Sequence, residues 1–360
     1  MAGVYISYPF CSQKCSFCNF ASGVSTSDVR QRYEERLLED VRFHNWTFSP
    51  ETLYFGGGTP SLMPPNLLED LTNAIPRDRL REITLECAPG TVDAARAAHW
   101  ARCGINRVSL GVQSFVGTEL ARTGRRHTAE TVQHDIEILR AAGIRNLNLD
   151  LIAGLPGQTR ESWAESLAWL KRLQPPHVSV YIFEVDEDSR LGKEILTNGS
   201  RYGASDLPND DLTAELYETA VEYLAGIGLP RYEISNFARP GLESAHNLKY
   251  WCLEYYAGFG LDAHSFDGYA RWSTPDTLLG YMNRDGSPER MYSDPVEEHF
   301  FVGLRLAAGI EPKPSERVRF AEPIRKWLSN GMLIEDGPRL RLSDRGVLLS
   351  NEILQEFINV

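Results

Sequence analysis

Residues 5–20 read YISYPFCSQKCSFCNF, and Cys11, Cys15 and Cys18 stand in this stretch at C-x3-C-x2-C spacing. Thiols so close in the chain point to one shared metal centre, because soft thiolate ligands select zinc or iron–sulfur clusters. A tetrahedral zinc site closes with four protein ligands, whereas a four-iron cube held by three cysteines leaves one iron open to an outside ligand. No fourth cysteine or histidine follows nearby. That favours the open cluster over a zinc knuckle lacking a partner, or over three merely buried thiols.

Ahead of the cysteines, the apolar run Val4 to Pro9 reads as a strand that delivers the cysteine loop at its carboxyl end. Behind them, Tyr33, Leu37, Leu38 and Val41 fall at helical spacing. The alternation then repeats. Strands are expected at 52–55, 83–87, 107–112, 147–152 and 178–185, with helices around 67–75, 93–102, 129–142 and 161–173 between them. Six strands alternating with helices imply right-handed parallel βαβ units, hence an α/β fold whose sheet curves into a partial (βα)6, TIM-like barrel. Sites in such sheets form at the carboxyl ends of the strands.

The polar stretch from Glu187 to Asp210 carries Gly199, Gly203 and Pro208 and reads as a loop or lid. A helix over 211–224 and a strand near 231–234 are expected next. These readings divide the chain into a barrel over 1–240, a linking segment over 241–294 and a small helical, winged-helix-like C-terminal module over 295–360. In that module a helix at 324–328, a hairpin around Asp336-Gly337-Pro338 and a closing helix over 348–358 are expected.

The 360 residues are ample for a large core, and 42% are hydrophobic. Lysine and arginine total 37 against 49 acidic residues, a formal net charge of −12. A nucleic-acid partner would need a basic footprint, so none is expected, and the C-terminal module is expected to pack on the barrel. The chain starts directly into a strand pattern without a basic n-region, and no apolar run approaches the roughly 20 residues of a membrane span. A cytoplasmic location is therefore expected, with Cys87, Cys103 and Cys252 as free thiols.

Gly56-Gly57-Gly58-Thr59-Pro60 follows the second strand, and glycines there let backbone groups approach a ligand closely. With Phe17 ahead of the third cysteine and this glycine run behind, the chain resembles the radical S-adenosylmethionine (SAM) superfamily. In that superfamily SAM chelates the open iron, and an electron from the cluster breaks its sulfonium to give a 5′-deoxyadenosyl radical. The ordered set YISYPFC, FGGGTPSLM, TLECAPGT, RVSLGVQSF, GRRHT, LNLDLIAGLPGQT and YEISNFARPG resembles the oxygen-independent coproporphyrinogen oxidase family and its haem chaperone branch. The resemblance implies a 4Fe-4S cluster on Cys11, Cys15 and Cys18. Tyr5, Phe17, Gly57, Gly58 and Thr59 would border the cluster and the methionyl part of SAM, and Glu86, Gln113, Arg125 and Asp150 would contact its polar groups. Tyr181 and Glu184 are further candidates for the adenine or a second ligand.

Three positions depart from the oxidase pattern: Phe20 stands where a further cysteine follows, Ser7 where a histidine is usual, and Ala88 where asparagine is common. These favour the chaperone branch. In that branch the H-N-x-x-Y-W motif, here within Ser244 to Trp251, is associated with haem, which makes His246 the candidate iron ligand; the alternative is a core histidine. His264 in GFGLDAHSF reads as structural. The function so implied is a radical SAM haem chaperone that passes haem to an acceptor, respiratory or membrane-bound, and takes electrons from a donor. The alternative is coproporphyrinogen III oxidation to protoporphyrinogen IX.

Overall fold

In the computed structural model, which describes residues 2–284, 286 and 288–358, six parallel strands lie side by side in chain order. They are β1 (Ala2–Tyr8), β2 (Thr52–Gly57), β3 (Glu82–Cys87), β4 (Arg107–Gln113), β5 (Asn146–Ala153) and β6 (His177–Ile182). Helices Ser27–Arg42, Pro65–Ala74, Ala94–Cys103, Ala129–Ala141 and Arg160–Leu173 make the crossovers, as the partial (βα)6 reading requires. The side chains of Asp93, Thr128 and Thr159 each accept a first-turn N–H and so fix where three of these helices begin.

The period of two along each strand sorts the residues into two layers. Val4, Ile6, Leu53, Phe55, Leu85, Val108, Leu110, Leu147, Leu149, Val178 and Val180 are fully buried in the apolar core with the helices. Each such side chain contributes about 1.5–3 kcal/mol of transfer free energy. The alternate positions are polar: Tyr5, Tyr54, Glu86, Arg107, Ser109, Asn148, Asp150 and Ser179. They bond to one another, with Asn148 Nδ2 donating to Ser109 Oγ at 2.7 Å, Asp150 Oδ1 at 2.7 Å and Ser179 Oγ at 2.9 Å. A polar inner layer inside an apolar shell is what a barrel needs if its mouth is to hold a polar ligand.

Among the described residues the sheet extends past both ends of this core to eleven strands. Short β7 (Asn236–Ala238) pairs antiparallel with β6. The strand expected at 231–234 lies here instead, and Arg231 and Glu233 make only isolated bridges, to Phe237 and Leu306. On the other side, β8 (Tyr255–Phe259) pairs parallel with β1, followed by antiparallel β9 (His264–Phe266), β10 (Ala270–Ser273) and β11 (Met291–Tyr292). The segment 241–294, expected as a link, thus supplies four strands of the main sheet and the helix Ala245–Trp251. The expected loop over 187–210 holds a helix, Arg190–Leu196, capped by Ser189, whose Oγ accepts from Gly192 N at 2.9 Å.

The C-terminal part builds helices Pro295–Gly303, Pro314–Arg319 and Ala321–Ser329, the hairpin β12 (Leu333–Asp336) and β13 (Arg339–Leu342), and helices Asp344–Leu348 and Ser350–Leu354. Among the described residues no helix is long and apolar enough to cross a membrane.

Candidate functional site

The loop that leaves β1 is clamped from several directions before any ligand is considered. Cys11 N donates to Gly23 O and Gly23 N to Pro9 O, each at 2.9 Å, closing the loop on itself. Ser16 N reaches Thr123 O at 3.2 Å, and Leu191 N, from the helix Arg190–Leu196, reaches Ser16 O at 2.9 Å. Phe17 meets the ring of Phe183 edge-on at 6.1 Å. So fixed, the thiols of Cys11, Cys15 and Cys18 line one cavity of about 520 Å³ at the carboxyl ends of the strands.

The glycine run holds the loop from below, each glycine for its own reason. A Cβ on Gly58 would lie 2.6 Å from the Pro9 carbonyl and 3.0 Å from Cys11 Sγ. On Gly56 it would lie 2.8 Å from the Tyr5 ring, and Gly57 has φ +108°, a conformation suited to glycine. Gly57 N then donates to Glu86 Oε2 at 3.1 Å, while Tyr54 OH donates to Glu86 Oε1 at 2.9 Å. Burial, and secondarily the nearby Asp150, push the Glu86 carboxyl up to about 7. Asp150 is likewise raised by burial, although it accepts from Ser109 Oγ at 3.1 Å and Asn148 Nδ2 at 2.7 Å.

On β4 the ladder shifts register between Leu110 and Gln113, and Gln113 takes φ +69°. A side chain held in the left-handed region costs free energy that the surroundings must offset, and such residues concentrate at ligand sites. Arg125 Nη1 donates to Gly111 O at 2.6 Å. Yet Gln113 Oε1 and Arg125 Nε are buried with no hydrogen-bond partner among the described residues. Each buried unpaired polar atom costs about 1–3 kcal/mol. Both residues also line the cavity.

The donor set fits the expected cofactors. Among the described residues no three His, Cys, Asp or Glu side chains converge as ligands of a single metal ion. A cube asks less convergence, since each cysteine takes a different iron. Two carboxylates, a guanidinium and an amide around the same space suit a small zwitterion that also carries a positive centre.

Of the residues singled out in the sequence, Phe17, Gly57, Gly58, Thr59, Glu86, Gln113, Arg125, Asp150, Tyr181 and Glu184 line this cavity with the cysteines. Tyr5 lies beside it, lining an adjoining cleft with Ser7 and His264. His246 is in neither. Its ring is 1% exposed, with Nδ1 at 2.8 Å from Thr52 Oγ1 and Nε2 at 2.8 Å from Tyr250 OH. Burial, then Lys249, push this imidazole down to about 3. With both nitrogens engaged, the folded ring has no lone pair free for a haem iron, and the core-histidine alternative describes its setting. Tyr54, which holds Glu86, and Asn148, which ties Asp150 to its neighbours, were not singled out. Their signal was a polar residue at every second position of strands that are otherwise apolar.

The radical SAM superfamily matches residues 5–170 of the chain. The chain is 32% identical to the Heme chaperone HemW of Lactococcus lactis, an alignment covering 98% of this chain and 96% of that one. It is also 32% identical to the Heme chaperone HemW of Bacillus subtilis, covering 99% of each. The coproporphyrinogen III oxidase structure from Escherichia coli superposes with a TM-score of 0.83 at 21% identity, covering 99% of this chain and 90% of that one, and so shares the fold. The chain belongs to the radical SAM superfamily and, within it, to the HemW family.

Proposed function

We propose that this protein is a radical SAM haem chaperone that carries a 4Fe-4S cluster and SAM, binds haem and hands it to an acceptor protein. The observation that carries the reading is the single cavity lined by Cys11, Cys15 and Cys18, by Glu86 and Asp150 with their raised carboxyls, and by the polar residues Gln113 and Arg125. Full-length similarity to proteins named haem chaperones supplies the cargo.

Cys11, Cys15 and Cys18 would hold the cluster, which when bound supplies the electron that SAM chemistry needs. Arg125 has the fork geometry for the SAM carboxylate. Glu86 and Asp150 would accept from the amino group or ribose hydroxyls and, once ionised, favour the positive sulfonium. Gln113 Oε1 would take a donor from the same ligand. Phe17, Thr59 and the backbone of Gly57 and Gly58 would exclude water around the cluster, with Tyr5 closing the side toward the adjoining cleft. Oxidation of coproporphyrinogen III is disfavoured by Phe20 and Ser7, which replace the further cysteine and the histidine of the oxidase pattern.

The test is anaerobic reconstitution with iron and sulfide. The native chain is expected to take up about four irons, and Cys11→Ala, Cys15→Ala and Cys18→Ala to take up none in cluster form. The same preparation is expected to bind haem and to leave coproporphyrinogen III unchanged in the presence of SAM and a reductant. Conversion to protoporphyrinogen IX would replace the chaperone reading by the oxidase one.

A further inference from the structure

The cleft beside the cysteine cavity is lined by Tyr5, Phe20, Tyr250, Tyr256, Leu261 and His264, holds about 360 Å³, and shares Phe20, Ser22 and Gly57 with its neighbour. The first five give it aromatic and aliphatic walls suited to a flat, mostly apolar macrocycle. Phe20 is 66% exposed on the rim common to both spaces, where its ring is free to lie against a bound macrocycle.

His264, the sixth, lies at the start of β9 with its side chain 63% exposed. Its Nε2 is 3.8 Å from Asp262 Oδ1, beyond hydrogen-bond length, and the ring makes no hydrogen bond among the described residues. The other seven histidines are differently placed. His177 and His246 have both nitrogens bonded. His99 and His127 sit on the carbonyls of Pro65 and Val112, and His299 on Glu316. His44 is wedged between the rings of Trp46 and Phe259, and His134 stands exposed on the crossover helix Ala129–Ala141.

We infer that His264, not His246, is the imidazole that takes the haem iron, with the porphyrin lying in the cleft against Tyr250, Tyr256 and Phe20. This assignment rests on the haem-binding reading above and adds to it the ligand and the place. Asp262 Oδ1, 3.8 Å from Nε2, would have to close by about 1 Å to take that nitrogen as a donor and leave Nδ1 for iron, the arrangement usual for metal-bound histidines. The same carboxylate repels the propionates, so the propionate edge faces solvent and the apolar edge enters the cleft. The H-N-x-x-Y-W motif still contributes, because the His246 ring holds the hydroxyl of Tyr250, which forms one wall.

The experiment is a titration of the full-length, cluster-reconstituted protein with ferric haem, followed by absorption and electron paramagnetic resonance. The native chain is expected to give an imidazole-ligated spectrum. His264→Ala is expected to weaken binding roughly tenfold or more and to lose that spectrum, with added free imidazole restoring it and iron content and circular dichroism unchanged. His246→Ala is expected to keep the imidazole signature. Native spectrum and affinity in His264→Ala would overturn the assignment while leaving the chaperone reading intact. Loss that free imidazole does not restore would likewise remove the ligand role. Failure of the native chain itself to bind haem would overturn both.

Discussion

Glu86 is held by two donors, Tyr54 OH and Gly57 N, and is nevertheless raised to about 7, so burial and the neighbouring Asp150 outweigh the hydrogen bonds. In the unfolded chain a glutamate titrates at about 4.3. Between these values the folded protein binds the extra proton, so stability falls as pH rises from about 4.3 to about 7 and is level above. Glu86→Gln is expected to be more stable than the native chain above pH 7 by about 1–3 kcal/mol and close to it at pH 4. Urea melts of the ligand-free protein at the two pH values check this. A cationic ligand reverses the balance, so SAM binding below pH 7 is expected to release a proton, measurable from the buffer dependence of the binding heat. At this scale the sequence was read well for residue type and poorly for burial. The cysteines and Glu86 declared their chemistry, but H-N-x-x-Y-W did not reveal that His246 and Tyr250, four apart on one helix face, satisfy each other. Tyr250→Phe leaves a buried ring nitrogen unpaired and is expected to cost about 1–3 kcal/mol, read as a lower midpoint in the same melts.

The cysteine loop is an element without regular structure, and its conformation is set by what surrounds it. Gly58 matters most, since the atoms its Cβ would strike are the Pro9 backbone and the Cys11 thiol, neither of which has a flexible end to give way. Gly58→Ala is expected to displace the loop, lower iron uptake on reconstitution at least severalfold and destabilise the protein by about 1–3 kcal/mol. Gly117, which opens the short helix Gly117–Arg122, has nothing within 4 Å of its Cβ position among the described residues. Gly117→Ala is accordingly expected to be neutral or stabilising by up to about 1 kcal/mol, with full iron uptake. The crossover helices and strands β1 to β6 were legible because each keeps one period over many residues. The helix Arg190–Leu196 and strands β8 to β11 were not. The helix has a single fully buried apolar side chain, Leu191, and the strands are two to five residues long, so tertiary pairing decides them.

For the whole molecule, the question is whether the C-terminal part folds as a unit of its own. Phe300 packs on Phe320 at 4.6 Å and on Phe357 at 5.0 Å, all three fully buried, so the module has a core. Its backbone is nonetheless joined to the barrel. Ile234 N donates to Arg305 O at 3.1 Å and Ala307 N to Tyr232 O at 2.9 Å, beyond the end of β6. Tyr232 in turn bonds His177 Nε2 at 2.9 Å, and His177 Nδ1 meets Asn148 Oδ1 at 2.7 Å, which connects the module to the polar layer beneath Asp150. The chain from module to cavity is therefore continuous in hydrogen bonds. Melting is expected to be one calorimetric transition with equal calorimetric and van't Hoff enthalpies, since losing the module strips partners from buried groups of the barrel. A chain ending at residue 294 is expected to lower the melting midpoint of the barrel and its iron uptake together. Two separate transitions in the full chain, or a truncated barrel that keeps the native midpoint, would mean that the module is only appended and that the site is built without it.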